Sequence, residues 1–223
     1  LVLFCMDLLE NVPNLTSALK VICERTCSFF GIDDMICMEV NEAGPTIRYQ
    51  WNREEKKDFA RRILNPGVFE WDRIRKKADE SGAVIYRQSE TPVVYKEEAE
   101  SVMIVMSTAA KGLKASVIFS NRHTDRSWQE EKNALCRISH QIFNRLRTLK
   151  NAEKDQRELN RKLNYDALTG LPIYNKFVDK LEAYMAAHGK SGLFFVSSDF
   201  SNFQYVNEMY GYEVGDRILH DFA

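Results

Sequence analysis

Mostly apolar residues recur every seven positions across the middle of the chain, and this repeat separates two differently patterned regions. The recurring residues are Trp128, Leu135, Ile142, Leu149, Gln156 and Leu163. The companion position three residues on is interrupted by two polar residues and holds, in order, Ile138, Arg145, Ala152, Leu159 and Asp166. Charged residues fill the other faces, a pattern typical of a parallel two-stranded coiled coil. We therefore expect one long helix that first packs on an N-terminal domain and then bridges to the next; a lone amphipathic linker helix is the alternative.

The region before this helix alternates between helix and strand signals. A helix is predicted over residues 14–30, because its apolar residues follow helical spacing and Gly31 is a natural stop. A second helix is predicted from about residue 68 to residue 80, where Ser81 and Gly82 end it. The predicted strands are residues 35–40, 46–51, 83–86, 101–108 and 115–120. These elements make an antiparallel sheet flanked by helices, so the predicted fold class is α+β.

Charge and cysteine content narrow the possible partners. With 31 basic and 32 acidic residues the net charge is −1, so no overall field attracts nucleic acid or an anionic membrane. No apolar run is long enough to cross a bilayer. The five cysteines form no C-x-x-C pair, and their odd number favours reduced thiols in the cytoplasm. Because the chain begins with Leu and ends within an apolar-periodic segment, we expect a piece of a longer protein.

The order of elements before the long helix resembles the GAF sensory domain over about residues 3–145. The hairpin of residues 101–121 and the helix after it resemble that family most. The resemblance implies a small-ligand pocket walled by residues 68–88 and the loop to Glu100, but the ligand stays unknown, because the four histidines lie elsewhere. A basic cluster in that wall could bind an anion, although a solvated helix face is the commoner arrangement for such residues: Arg73, Arg75, Lys76 and Lys77.

A second pattern lies at the C-terminal end of the chain. The apolar run of residues 192–196 predicts a buried strand, and Asp199 follows it, where a carboxylate suits Mg²⁺. A turn then leads into a helix whose first N–H groups can hold phosphates. Asn207 lies one turn along that helix, and Asp216 follows Gly215. This order of carboxylate, amide and second carboxylate suits a magnesium-nucleotide site.

This run, together with the segment Asp166-Ala167-Leu168-Thr169-Gly170-Leu171-Pro172, resembles the start of a GGDEF (diguanylate cyclase) domain over about residues 165–223. The resemblance implies that Asp199 and the backbone carbonyl of Phe200 bind Mg²⁺. It further implies that Asn207 and Asp216 read guanine and that the turn before them holds the GTP phosphates, through Asn202, Phe203 and Gln204. In that family two GTP-loaded domains face each other and form cyclic di-GMP, so a homodimer through the GAF domain and the linker helix is expected.

Five positions depart from the family pattern. Ser201 stands where a second Asp is common, Gln204 replaces the usual Lys, and Tyr212 replaces the usual His. Residues 173–174 are Ile-Tyr in place of Asn-Arg, which removes a further cation. The signature Gly-Gly-(Asp/Glu)-Glu-Phe turn does not occur in the sequence. We therefore expect residues 166–223, about half of a βαββαβ-type domain, to be inactive alone and to expose the edges of the strand near residues 193–198.

The predicted organisation is a GAF-like sensor at residues 1–145, a helical coiled-coil-like linker at 146–165 and a truncated GGDEF domain at 166–223. Three functional hypotheses remain open. The parent protein is an active diguanylate cyclase controlled by its sensor. Alternatively, the GGDEF domain is degenerate and binds GTP only to regulate a downstream phosphodiesterase. The third hypothesis is a dimerisation module without ligand at either site.

Overall fold

A computed structural model describes residues 1–41, 44–54, 71–87, 99–107, 114–189, 192 and 194–223. The chain divides into two units, Leu1–Lys150 and Asn151–Ala223. In the described residues of the first unit, the elements in chain order are α1 (Val2–Asn11), α2 (Leu15–Phe30), β1 (Asp34–Asn41), β2 (Gly44–Asn52), α3 (Trp71–Lys77), β3 (Ala83–Arg87), β4 (Ser101–Met106), β5 (Lys114–Asn121) and the start of α4 (Lys132–Asn164).

The five strands form one antiparallel sheet in the order β2-β1-β5-β4-β3. The α+β class and the antiparallel sheet predicted from the sequence are confirmed. Helix α1 was not predicted. Its N-cap residue, Leu1, offers no side-chain hydrogen bond to the first turn, so no start signal marks it.

Helix α2 begins and ends where the sequence indicates. The side chain of Asn14 accepts hydrogen bonds from the backbone N–H groups of Thr16 at 2.9 Å and Ser17 at 3.3 Å. These bonds satisfy two donors that the first turn cannot use internally. Gly31 ends the helix in the left-handed conformation with φ 63°, which only glycine adopts without steric cost.

The sheet is buried on both faces, and alternate residues of each strand supply the two cores. In β1, Met35 and Cys37 face α1, α2 and the first half of α4, whereas Ile36 and Met38 belong to the second core. The second core also includes Ile74 of α3. Of the pocket wall predicted at residues 68–88 and in the loop to Glu100, residues 68–70 and 88–98 lie outside the described residues, and no pocket is assigned there.

A buried ion pair closes one end of the sheet. Arg122, directly after β5, donates from Nε to Asp34 Oδ2 at 2.9 Å and from a second nitrogen to Oδ1 at 2.5 Å. Their side chains are 7% and 1% exposed. Ser120 also donates to Asp34, at 3.0 Å. Both charged groups are buried, and a buried charge without a partner is strongly destabilising, so the fold depends on this pairing.

The start of α4 is tied to the turn before β3. Asp79 forms an ion pair with Lys132 in the first turn of α4, and it accepts hydrogen bonds from Ser81 and Ala83. Partial burial raises the pKa of Asp79, but the hydrogen bonds from Lys132, Ser81 and Ala83 outweigh it and lower the pKa to about 2. This contact holds the long helix to the sheet where the helix begins.

The first half of α4 packs on the sheet as predicted, and its buried residues end at Leu146. Beyond residue 150 the helix is exposed, and its heptad residues Leu159 and Leu163 are 50% and 63% exposed. The coiled-coil pairing of this stretch stays a prediction. Within the residues that the structure describes, no helix combines the length and the hydropathy needed to cross a bilayer.

After α4, the described residues of the second unit form α5 (Tyr174–His188), α6 (Phe203–Tyr210) and α7 (Tyr212–Phe222). The strand predicted at residues 192–196 is wrong for its described part. Residues 194–200 have no regular structure, and Phe194 and Val196 are 94% and 84% exposed. A strand exists by pairing its backbone groups, and no other strand occurs among the described residues of this unit.

Candidate functional site

The segment between α4 and α5 is a tight, internally bonded turn. Asp166 Oδ1 accepts from the backbone N–H and the hydroxyl of Thr169, both at 2.8 Å. The Asp166 N–H donates to the carbonyl of Leu171 at 2.8 Å, and Tyr165 pairs with Pro172 in a β-bridge. The Thr169 backbone N–H lowers the pKa of Asp166, followed by the Thr169 hydroxyl. The Asp-Ala-Leu-Thr-Gly-Leu-Pro motif thus forms the turn that joins α4 to α5.

Asp199 lies in the irregular segment before α6, and its side chain is exposed. Phe200, the next residue, anchors this segment: its ring centroid lies 5.6 Å from that of Phe203 in α6 and 4.8 Å from that of Phe222 in α7. Aromatic pairs at these distances are stabilising beyond the area they bury. The segment that carries the Asp199 carboxylate therefore packs on both helices through the ring of Phe200.

The turn before α6 has an unusual backbone. Asn202 adopts φ 58° and ψ 33°, the left-handed region that Asn tolerates better than most residues. Its side chain does not cap α6, so it does not occupy the first N–H groups of the helix. Gln204, in the first turn, donates from its amide to Glu208 at 2.8 Å. Where the family usually has a cation, this chain has a neutral side chain bonded to a carboxylate.

Asn207 and Gly215 meet where α6 and α7 touch. A Cβ placed on Gly215 would lie 1.9 Å from Asn207 Oδ1 and 3.3 Å from Cζ of Phe203. Gly211, at φ 84°, makes the turn between the helices, and its N–H donates to the carbonyl of Asn207 at 2.9 Å. Asp216 follows Gly215 directly and is exposed. The structure thus brings the amide of Asn207 to the residue next to Asp216.

The sequence interpretation named these side chains, but it gave no role to Gly215 and did not name Phe222, the two residues that join them. Gly215 allows the close approach of α6 and α7, and the ring of Phe222 packs against the ring of Phe200. A glycine inside the helical pattern of residues 212–222 was the available signal for the first. Nothing in the local pattern marks Phe222, because its partner lies more than 20 residues earlier in the chain.

The remaining candidates are a metal site formed by protein side chains alone, the cysteines and the basic cluster of α3. Among the described residues, no three His, Cys, Asp or Glu side chains are grouped so as to hold a metal ion by themselves. All five cysteines are free and buried, as expected for packing residues. In the basic cluster of α3, the Lys77 ammonium lies 5.6 Å from the ring centroid of Tyr86, a cation–π contact that occupies one of the cations.

Comparison with known proteins gives results for both parts of the chain. The family model described as "Diguanylate cyclase, GGDEF domain" matches residues 163–223. A sequence search of curated proteins finds no match.

Solved structures resemble the N-terminal part at low identity. The photoproduct state of a GAF domain from Synechocystis sp. is 14% identical with a TM-score of 0.46, over 65% of this chain and 98% of that chain. The TePixJ cyanobacteriochrome GAF domain is 13% identical with a TM-score of 0.49, over 64% and 94%. The N-acylhomoserine lactone-dependent LuxR-family factor CepR2 of Burkholderia cenocepacia is 12% identical with a TM-score of 0.48, over 65% and 89%.

The GGDEF resemblance named from the sequence is found again. Residues 163–223 match the GGDEF domain of diguanylate cyclases, and the solved structures that resemble the part before them include GAF domains.

Proposed function

We propose that this chain is the sensory and regulatory part of a cyclic di-GMP signalling protein. Its N-terminal sensor, residues 1–145, controls a GGDEF output domain that begins at residue 166, through a helical linker at 146–165. In the complete protein the output domain joins two GTP molecules into cyclic di-GMP. The reduced, buried cysteines are consistent with a cytoplasmic location.

One observation carries the proposal: the contact of Asn207 Oδ1 with Gly215, the neighbour of Asp216. Taken singly, an Asn on a helix and an exposed Asp are ordinary surface residues. At this helix contact the Asn207 amide lies against the residue that precedes Asp216. In the proposed site the amide and the carboxylate would bind one base. The ring of Phe200 adds the segment of Asp199 to the same helix pair.

The donor set suits Mg²⁺. A carboxylate and a backbone carbonyl, from Asp199 and Phe200, are hard oxygen ligands, and Mg²⁺ takes its remaining ligands from phosphates and water. The metal would neutralise charge on the triphosphate. Residues 202–204 would offer their backbone N–H groups to the phosphates, and Asn207 and Asp216 would bind guanine.

A regulatory site that binds GTP without turnover is the second candidate. Gln204 favours this regulatory site. Its side chain is neutral and bonded to Glu208, so position 204 supplies no positive charge for the phosphates. Cyclic di-GMP formation by the complete protein supplied with Mg-GTP supports the cyclase. Binding without product supports the regulatory module.

The linker supports a homodimer, in which two copies of α4 would cover each other's Leu159 and Leu163. Such pairing would bring two output domains together, as a reaction between two GTP molecules requires. If the protein dimerises but binds no nucleotide, the third hypothesis, a dimerisation module without ligand, would be the one supported.

Calorimetric titration with Mg-GTP tests the proposed site. We expect Asp199→Ala to abolish Mg-dependent binding, because the carboxylate is the charged protein ligand of the metal. Asp179→Ala is the matched control, since it removes an equally exposed carboxylate from α5. Unchanged affinity after Asp199→Ala, or an equal loss in the control, would rule out the metal role.

A further inference from the structure

Gly215 lies inside α7, where glycine is an unfavourable choice. In a helix interior it costs roughly 0.5–1 kcal/mol relative to alanine, because its unfolded backbone has more freedom to lose. Its φ is not among the positive values of the chain, so no backbone requirement explains it. Among the described residues of 151–223, Gly215 is also the buried one. The reason for glycine must lie in what it touches.

The contact on Gly215 leaves no room for a side chain. An added Cβ would lie 1.9 Å from Oδ1 and 3.1 Å from Cγ of Asn207, and 3.3 Å from Cζ of Phe203. The first distance is far below any real contact, so the Asn207 amide would have to leave its position. Phe203 and Asn207 are four residues apart and therefore lie on one face of α6. Because Gly215 has no side chain, this face of α6 packs directly against α7.

In the structure the Asn207 amide takes one orientation at this contact. Oδ1 faces Gly215, and Nδ2 is not among the three atoms nearest the added Cβ. The N–H₂ donor is thus the part of Asn207 left for a ligand. Guanine presents acceptors at O6, N7 and N3, and adenine carries an amino donor at position 6 in place of O6. A fixed donor beside a carboxylate therefore favours guanine over adenine.

We propose that Gly215 is a positioning residue for base recognition: it holds the Asn207 amide with its donor toward the nucleotide. This proposal rests on the proposed function, because it assumes that Asn207 contacts the base. It adds a residue that touches no ligand, and it states which group of Asn207 is presented.

A double-mutant cycle tests it by calorimetry on the intact chain with Mg-GTP and Mg-ATP. Gly215→Ala is expected to weaken Mg-GTP binding about tenfold, as for one lost hydrogen bond, and to leave Mg-ATP binding unchanged. Asn207→Ala is expected to show the same loss. Adding Gly215→Ala to Asn207→Ala is expected to change affinity less than twofold, since no amide remains to be displaced. Glu213→Ala, an exposed change on the same helix, controls for effects of α7.

The outcomes separate the two proposals. If Asn207→Ala leaves Mg-GTP affinity unchanged, the proposed function itself fails. If Asn207→Ala weakens binding but Gly215→Ala does not, or if the two losses add, only the positioning role is overturned. Circular dichroism covers the case of unfolding: should Gly215→Ala lose helicity, the double variant must regain it, because truncating Asn207 removes the clash. A double variant that stays unfolded also overturns the positioning role.

Discussion

Replacing Arg122 by methionine should strongly destabilise the N-terminal unit. The variant leaves Asp34, whose side chain is 1% exposed, with the hydroxyl of Ser120 as its remaining side-chain partner among the contacts described above. Removing one member of a buried ion pair costs about 3–5 kcal/mol, because the other charge stays out of water without compensation. We therefore expect Arg122→Met to lower the free energy of unfolding by about that amount.

Urea unfolding followed by tryptophan fluorescence measures this change selectively. All three tryptophans, at positions 51, 71 and 128, belong to the N-terminal unit. Arg87→Met is the matched control: its guanidinium also contacts a carboxylate, Asp125, through two nitrogens at 3.1 and 2.8 Å, but the side chains are 51% and 38% exposed. An exposed pair is worth at most about 1 kcal/mol. A loss below about 1 kcal/mol for Arg122→Met, or equal losses for both variants, would refute the reasoning.

Two further predictions concern α4. Asp79→Asn should lower the free energy of unfolding by about 1 kcal/mol at pH 7, a value reduced for the 40% exposure of the Asp79 side chain. Because folding lowers the pKa of Asp79 to about 2, its stabilisation is present above the ordinary value near 3.8 and is lost as pH falls toward 2. Urea unfolding at both pH values checks this, and a difference that persists at pH 2 would contradict it. Leu159→Glu combined with Leu163→Glu should weaken the dimer in sedimentation equilibrium at tens of micromolar, and an unchanged dissociation constant would exclude the coiled coil.

The sheet could be predicted because each strand carries its own evidence. The apolar run of residues 35–38 is typical of a strand that is buried on both faces, and the observed strand, Asp34–Asn41, extends the predicted range of 35–40 by one residue at each end. The strand order could not be predicted, because the pairing of β1 with β5 joins segments more than 70 residues apart. Sequence spacing does not encode such contacts directly.

The candidate site was predicted in its residues but not in its assembly. The resemblance to GGDEF domains singled out Asn207 and Asp216, yet only the coordinates bring the Asn207 amide onto Gly215. The apolar run before Asp199 predicted a strand, since such a run usually lies in a buried sheet. Residues 194–196 of this run are exposed. A strand needs hydrogen-bonding partners in neighbouring segments, which local sequence does not report.

The central claim is that Asp199, Asn207 and Asp216 serve one guanine nucleotide. Titrating isotope-labelled protein with Mg-GTP while recording amide and side-chain NMR shifts tests it most directly. The account predicts that signals of all three residues move together along one saturation curve, and that Mg-ATP moves the Asn207 and Asp216 signals less. Shifts confined to other parts of the chain, or three residues that saturate at different concentrations, would contradict a common site.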